Sequence, residues 1–107
     1  MKNEIEKIKG TIKTIFEMKR ISLKEIILFG SRARGDFDNL SDWDILVITR
    51  DSLTLKQKRE IGHLIRKSLG KNLIPCDVII KSECEINNRK NIPGSLIRTA
   101  LMEGKKI

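Results

Sequence analysis

Two aspartates two positions apart open an apolar run in the middle of the chain. Asp42 and Asp44 flank Trp43 and precede Ile45–Ile48, and the run is typical of a β-strand over 43–49. Side chains two apart along a strand face the same way, with Cα atoms roughly 6 to 7 Å apart. Like charges about 4 Å apart repel by about 4 kcal/mol at an effective dielectric near 20. The pair therefore predicts a bound divalent cation, and Mg²⁺ is the usual one where phosphates are also ligands.

A third acid lies on another short apolar run. Asp77 belongs to C-D-V-I-I-K at 76–81, which predicts a strand. If this strand neighbours the one over 43–49, Asp77 can reach the same cations as Asp42 and Asp44. Three converging acids commonly hold two metal ions about 3.5 to 4 Å apart for in-line displacement at phosphorus. The three aspartates are therefore predicted to be the catalytic residues and the ligands of two Mg²⁺ ions.

A Gly-Ser pair follows the first apolar run, E-I-I-L-F at 25–29, and could bind the phosphates. Gly30 lets the backbone approach a phosphate closely, and amide groups with the Ser31 hydroxyl at a strand-to-helix turn bind anions. Arg32 and Arg34 follow at once and offset negative charge. A nucleoside triphosphate carries about −4 and would be repelled by three aspartates unless cations intervene. These four residues are predicted to bind the nucleotide.

The spacing of these pieces is more specific than any one of them. Ten residues separate Ser31 from Asp42, and a later strand carries Asp77. The alternative is that Gly30 serves only a turn, Asp42 caps the strand entry, and Asp44 and Asp77 are incidental.

Hydrophobic periodicity predicts the elements that must position these residues. Thr54 is a plausible N-cap and Gly70 a natural helix stop, while the polar segment 82–92 is ambiguous. The predicted elements are a helix over 3–19, a strand over 25–29, a turn or short helix over 31–37, a strand over 43–49, a helix over 55–69, a strand over 76–81 and a helix over 95–103. This order, α-β-α-β-α-β-α, predicts an α/β (α+β) fold with a small mixed sheet flanked by helices.

Composition limits the class of protein. With 107 residues, 39% of them hydrophobic, we expect one domain over 1–107. No apolar run approaches the roughly 18 residues of a membrane span, so we expect a cytoplasmic protein without a membrane partner. A net charge of +8 attracts nucleotides, nucleic acid or an acidic protein. The basic residues are scattered and aromatic residues are few, so nucleic acid is not the favoured partner.

Several other residues are interpreted without a functional role. Phe29 and Trp43 are expected in the core rather than as a base-stacking pair. His63 is expected in the middle of a helix beside the apolar stripe, as a surface or boundary histidine with no catalytic partner. The remaining acids near the motifs are read as loop or surface charges: Asp36, Asp38, Glu83, Glu85 and Glu103.

The motifs together resemble a known family. G-S-R-A-R-G at 30–35, S-D-W-D-I-L-V at 41–47 and C-D-V-I at 76–79 are similar to the minimal nucleotidyltransferase (MNT) domain of the polymerase-β-like nucleotidyltransferase superfamily. The C-terminal stretch at 92–107 resembles the closing helix of that family. The resemblance therefore implies the nucleotidyltransferase fold over nearly the whole chain.

The resemblance also implies a reaction and a partner. It makes Asp42 and Asp44 ligands of both Mg²⁺ ions, Asp77 the residue that completes the second site and helps to activate the attacking hydroxyl, and Gly30 and Ser31 the holders of the triphosphate. AMP would pass from ATP to a hydroxyl, releasing pyrophosphate. Many small members resemble antitoxins that adenylylate a tyrosine of a HEPN-domain ribonuclease toxin, the arrangement called a type VII toxin–antitoxin system.

Two alternatives to a protein adenylyltransferase remain open. One is a binding module or antitoxin that neutralises a partner by contact without catalysis. The other is a nucleotidyltransferase acting on RNA or a small molecule, which the net charge of +8 motivates. About a hundred residues hold little beyond the catalytic sheet, so we expect the acceptor to bring its own surface, which favours a protein and an oligomer or hetero-complex.

Overall fold

A mixed β-sheet between two layers of helices forms the frame of the protein. The computed structural model describes residues 2–89 and 91–107. Its helices are α1 (Lys2–Lys19), α2 (Gly30–Arg34), α3 (Leu55–Lys71), α4 (Glu83–Arg89) and α5 (Leu96–Glu103). Its strands are β1 (Leu23–Phe29), β2 (Trp43–Thr49), β3 (Cys76–Ser82) and β4 (Lys105–Lys106).

The order of the strands brings the functional motifs to one edge of the sheet. The order is β3-β2-β1-β4, with β1 antiparallel to β2 and β2 parallel to β3. Phe29 at the end of β1 is paired with Asp44 at the start of β2, and Asp44 is paired with Asp77 at the start of β3. The predicted mixed sheet is confirmed, and so is the neighbour relation on which the prediction for Asp77 depended.

Two apolar clusters cover the two faces of the sheet. Ile45 and Val47 point to the cluster that α1 and α3 complete, whereas Leu46 and Ile48 point to the cluster that α4 and α5 complete. Asp44 has the same strand parity as Leu46, so its side chain lies on the α5 face. The sheet is apolar on both faces because helices cover both.

Helix α3 shows which of the predicted signals determine its ends. The Thr54 hydroxyl accepts the Gln57 amide at 3.1 Å and the Gln57 side chain accepts the Thr54 amide at 2.8 Å, so the N-cap is confirmed as a capping box. The predicted helix end at Gly70 is wrong, because α3 continues to Lys71. Leu73 instead takes φ 61° and the buried Ile74 donates to the Leu69 carbonyl, a Schellman ending.

Two elements were missed by the sequence pattern. The polar segment over 82–92, which is ambiguous from the sequence, contains α4. Ile86 is the buried residue of this helix, so the helix has no apolar periodicity by which the sequence could predict it. Strand β4 consists of two lysines whose backbone pairs with Ile27 and Leu28. A lysine pair has no strand signal of its own, and the open edge of β1 supplies the partner. Over the described parts of the chain, no helix is long and apolar enough to cross a membrane.

Glu85 at the start of α4 is the ion-paired acid with the strongest expected effect on stability. Its carboxylate accepts Lys58 Nζ at 2.7 Å and the Ser82 amide at 3.1 Å, with Lys81 Nζ at 3.8 Å. Burial raises the pKa of Glu85, but these hydrogen bonds and the two lysine charges outweigh it and hold the pKa at about 2. We expect Glu85→Gln to lower the free energy of unfolding at pH 7 by about 1 to 2 kcal/mol after solvent screening.

The contribution of Glu85 has a defined pH window. It is present above the ordinary pKa of 4.5 and is lost as pH falls from 4.5 towards 2, because protonation removes the ion pairs. Urea unfolding at pH 7 and pH 2.5 measures both effects. Glu83→Gln is the matched control, since its pairs with Lys24 and Arg50 are 3.5 Å long. An equal loss in both variants would contradict the special role of Glu85.

Candidate active site

A cleft of about 420 Å³ opens at the edge of the sheet where β1 ends and β2 and β3 begin. It contains two of the predicted metal ligands and most of the predicted phosphate-binding residues. Its lining consists of Phe29, Gly30, Ser31, Arg34, Asp44, Asp77, Leu96, Thr99 and Glu103. A second cavity of about 500 Å³ between α1 and α3 shares none of these residues and is mostly apolar. The charged cleft is therefore the candidate active site.

Two of the three predicted acids line the cleft, at different depths. Asp44 is half-buried, and its register partner Asp77 is exposed on the edge strand. Partners in a parallel ladder point to the same face, so these two carboxylates are neighbours. Asp42 lies just before β2, is exposed, and is not among the described residues that line the cleft.

The environment of Asp44 favours a positive ligand. Burial raises the pKa of its carboxyl, and the negative charges of Asp77, Asp42 and Glu103 raise it further, while Arg34 partly opposes them. A divalent cation would relieve this repulsion, and carboxylate oxygens suit Mg²⁺. In residues 2–89 and 91–107, however, no three His, Cys, Asp or Glu side chains stand close enough together to hold a metal ion. The charges therefore fit a cation, but the carboxylates do not form a completed ligand set.

Gly30 allows β1 and β2 to approach each other at the cleft. Its φ is +74°, a left-handed conformation that favours glycine. A Cβ atom there would lie 2.0 Å from Oδ2 of Asp44. Ser31 follows at the cleft wall and is half-buried. The structure thus places Gly30 and Ser31 beside the aspartate that the sequence paired with them.

The two arginines of the motif have different positions. Arg34 lines the cleft and donates to Asp36 and to Glu103, each at 3.2 Å. Arg32 stacks on the ring of Trp43 with its guanidinium 4.7 Å from the centroid. It also donates to the Ser41 carbonyl at 3.0 Å, so it supports the loop that leads to Asp42. Arg34 is thus the arginine placed for an anion in the cleft, and Arg32 holds the loop.

Glu103 is the residue of this site that the sequence interpretation missed. It was read as a surface charge, yet its Oε1 accepts the Gly30 amide at 3.1 Å and Arg34 Nη1 at 3.2 Å. It stands 73 residues from Gly30 in the chain. An acid in the last turn of a helix belongs to no sequence motif, so no local signal could have identified Glu103.

The two aromatic residues beside the motifs lie in the core, as predicted. The side chains of Trp43 and Phe29 are only 2% and 5% exposed.

Comparisons with known proteins identify the family of this chain. A family model described as a nucleotidyltransferase domain matches residues 5–107. Two curated relatives from Methanocaldococcus jannaschii are both named as candidate protein adenylyltransferases. One is 40% identical over 78 residues, covering 72% of this chain and 79% of the relative. The other is 36% identical over 103 residues, covering 96% of each.

A solved structure shows the same fold. It is an MNT antitoxin complexed with a tri-AMPylated HEPN toxin from Shewanella oneidensis. The match has a TM-score of 0.57 at 19% identity and covers 94% of this chain and 69% of that one. The nucleotidyltransferase fold expected from the sequence is confirmed. The chain therefore belongs to the nucleotidyltransferase domain family and is a nucleotidyltransferase enzyme.

Proposed function

We propose that this protein transfers AMP from ATP to a tyrosine of a HEPN ribonuclease toxin and is thereby its cytoplasmic antitoxin. The observation that carries the proposal is the register pairing of Asp44 with Asp77 beside Gly30 and Ser31 at one cleft. In that arrangement carboxylates would bind cations, and the backbone at Gly30 would let a phosphate approach closely. The names of the two archaeal relatives and of the Shewanella complex support the acceptor class.

Each predicted residue has a task in this reaction. Asp44 and Asp77, joined by Asp42 once its side chain turns into the cleft, would hold two Mg²⁺ ions, which when bound neutralise the phosphates and favour attack at phosphorus. Gly30, Ser31 and Arg34 would bind and orient the triphosphate chain. The motif predicts Arg32 as a further nucleotide ligand. In the structure it donates to the Ser41 carbonyl and so holds the loop before Asp42.

The exposure of the acids indicates where the acceptor enters. Asp77 is exposed on the edge strand β3, whereas Asp44 lies deeper, so a hydroxyl approaching from solvent meets Asp77 first. In the proposed reaction the hydroxyl oxygen bonds to the α-phosphorus as the bond to pyrophosphate breaks, and Asp77 would accept the hydroxyl proton.

Exposed apolar side chains near the cleft favour a macromolecular acceptor. Leu96 lines the cleft and is 55% exposed, and Leu40, two residues before Asp42, is 89% exposed. A protein acceptor docked at the cleft would remove these apolar side chains from water. A hetero-complex with the toxin would bury them.

The proposal is tested by incubating this protein with a HEPN ribonuclease, taken from the adjacent reading frame where that frame encodes one. Incubation with labelled ATP and Mg²⁺ should label the toxin on a tyrosine, as mass spectrometry can locate, and should abolish its ribonuclease activity. Asp42→Asn in this chain and Tyr→Phe in the toxin should each prevent labelling. Neutralisation that persists without labelling would replace the proposal with inhibition by contact alone.

An RNA acceptor is the second candidate because of a basic groove. Lys58, Arg59, Arg66 and Lys81 line a groove between α3 and β3, and the net charge is +8. RNA end-labelling with ATP tests it at low and physiological salt. Binding that disappears above about 0.1 M salt without any labelling would show nonspecific attraction only.

A further inference from the structure

Glu103 occupies the donors that the proposed function assigns to the nucleotide. We infer that the carboxylate of Glu103 competes with a phosphate for these donors, and that the triphosphate must displace it to bind. This makes Glu103 a built-in competitor that sets the affinity of the cleft for phosphate chains. The inference rests on the proposed use of Gly30 and Arg34 as phosphate ligands, but not on transfer to any acceptor.

The contacts of Glu103 are those an anionic ligand would make. One carboxylate oxygen, Oε1, accepts both the Gly30 amide at 3.1 Å and Arg34 Nη1 at 3.2 Å. A backbone amide and a guanidinium are the usual donors to phosphate oxygens. A phosphate oxygen at the same place would need both donors, so the two anions exclude each other.

The backbone beside Glu103 is fixed. A Cβ atom on Gly104 would lie 2.2 Å from the Ala100 carbonyl oxygen and 2.3 Å from Cγ2 of Ile27, so the helix end packs directly on β1. After it, β4 pairs with β1, and the Ile107 amide donates to the Ile26 carbonyl at 3.0 Å. These contacts hold α5 in place, so displacement of Glu103 is a rotation of its side chain.

Negative charges outnumber positive charges around Glu103. Asp44 and Asp77 line the same cleft, and Arg34 is the basic residue among the described lining residues. Arg34 is already shared between Asp36 and Glu103. When a triphosphate enters the cleft, the charge of Arg34 is therefore already neutralised by these two carboxylates. Removing the charge of Glu103 should strengthen its binding.

The test measures binding of inorganic tripolyphosphate, which has no AMP to transfer. Calorimetry with excess Mg²⁺ at low salt should show at least tenfold tighter binding to Glu103→Gln than to the unaltered protein. The amide oxygen of Gln can still accept the Gly30 amide, so only the charge changes. Glu103→Ala should also bind more tightly. Glu6→Gln, which removes an exposed charge on α1, should change affinity less than twofold.

A second measurement does not depend on any substitution. In the unaltered protein, tripolyphosphate should shift the NMR resonance of the Gly30 amide and the carboxyl ¹³C resonance of Glu103 together. Equal or weaker binding by both Glu103 variants, or absence of binding altogether, would overturn the inference. Tighter binding without AMP transfer to any toxin would leave it standing while the proposed function failed, and transfer without tighter binding would do the reverse.

Discussion

Asp44→Asn is expected to lower nucleotidyl transfer about a thousandfold or more. Asp44 is the half-buried carboxylate between Gly30 and Asp77, where the proposed cations and phosphates would meet. Losing one charged group that acts on the reacting phosphate costs on the order of 4 kcal/mol in the barrier. Steady-state release of pyrophosphate measures it.

The same substitution should make the metal-free protein more stable. The pKa of Asp44 is raised by burial and by neighbouring acids, so the ionised side chain destabilises the fold at neutral pH. A raised pKa means that stability is present below the ordinary value of 3.8 and is lost as pH rises through the raised value. The difference in Tm between Asp44→Asn and the unaltered chain should therefore grow as pH rises, which thermal unfolding at several pH values measures.

Asp51→Asn is the matched control for both effects. Asp51 is exposed just beyond the opposite end of β2 and does not line the cleft. Its substitution should change neither pyrophosphate release nor the pH dependence of Tm. If Asp44→Asn kept more than a tenth of the activity, the assignment of Asp44 to the reacting centre would be wrong.

Gly30→Ala is expected to damage both the fold and the activity. A Cβ atom would overlap Oδ2 of Asp44 at 2.0 Å, and φ +74° disfavours any L side chain. The backbone conformation costs about 1 kcal/mol and the overlap about 1 to 3 kcal/mol more. Displacing Asp44 by about 1 Å would lower activity about a hundredfold. Chemical denaturation and pyrophosphate release measure the two losses.

Gly35→Ala separates the backbone cost from the overlap. Gly35 has φ +86° with open space around it, so its substitution should cost only the backbone part. The double variant Gly30→Ala with Asp44→Ala removes the carboxylate that the new methyl group meets, so it should recover stability relative to Gly30→Ala. Equal losses in Gly30→Ala and Gly35→Ala would show that the approach to Asp44 is unimportant.

The parts of the fold that local pattern predicts were found close to their expected places. The apolar stripe of Ile8, Ile12 and Phe16 is buried on α1, and Thr54 caps α3. Both signals act within a few residues, since burial periodicity and capping depend on neighbours one or two turns away. Segments without such a signal, α4 and β4, were left undecided or missed.

By itself the sequence determined the acids, the turn glycine and the spacing that marks the family, because these depend on residue type and short separations. Only the tertiary structure decided that Asp77 pairs with Asp44, that Arg32 turns to Trp43 and the Ser41 carbonyl, and that Glu103 reaches Gly30. These contacts follow from strand order and from how α5 packs on β1. Strand order and the packing of α5 are determined by the burial of apolar faces across the whole chain, so no local sequence pattern encodes them.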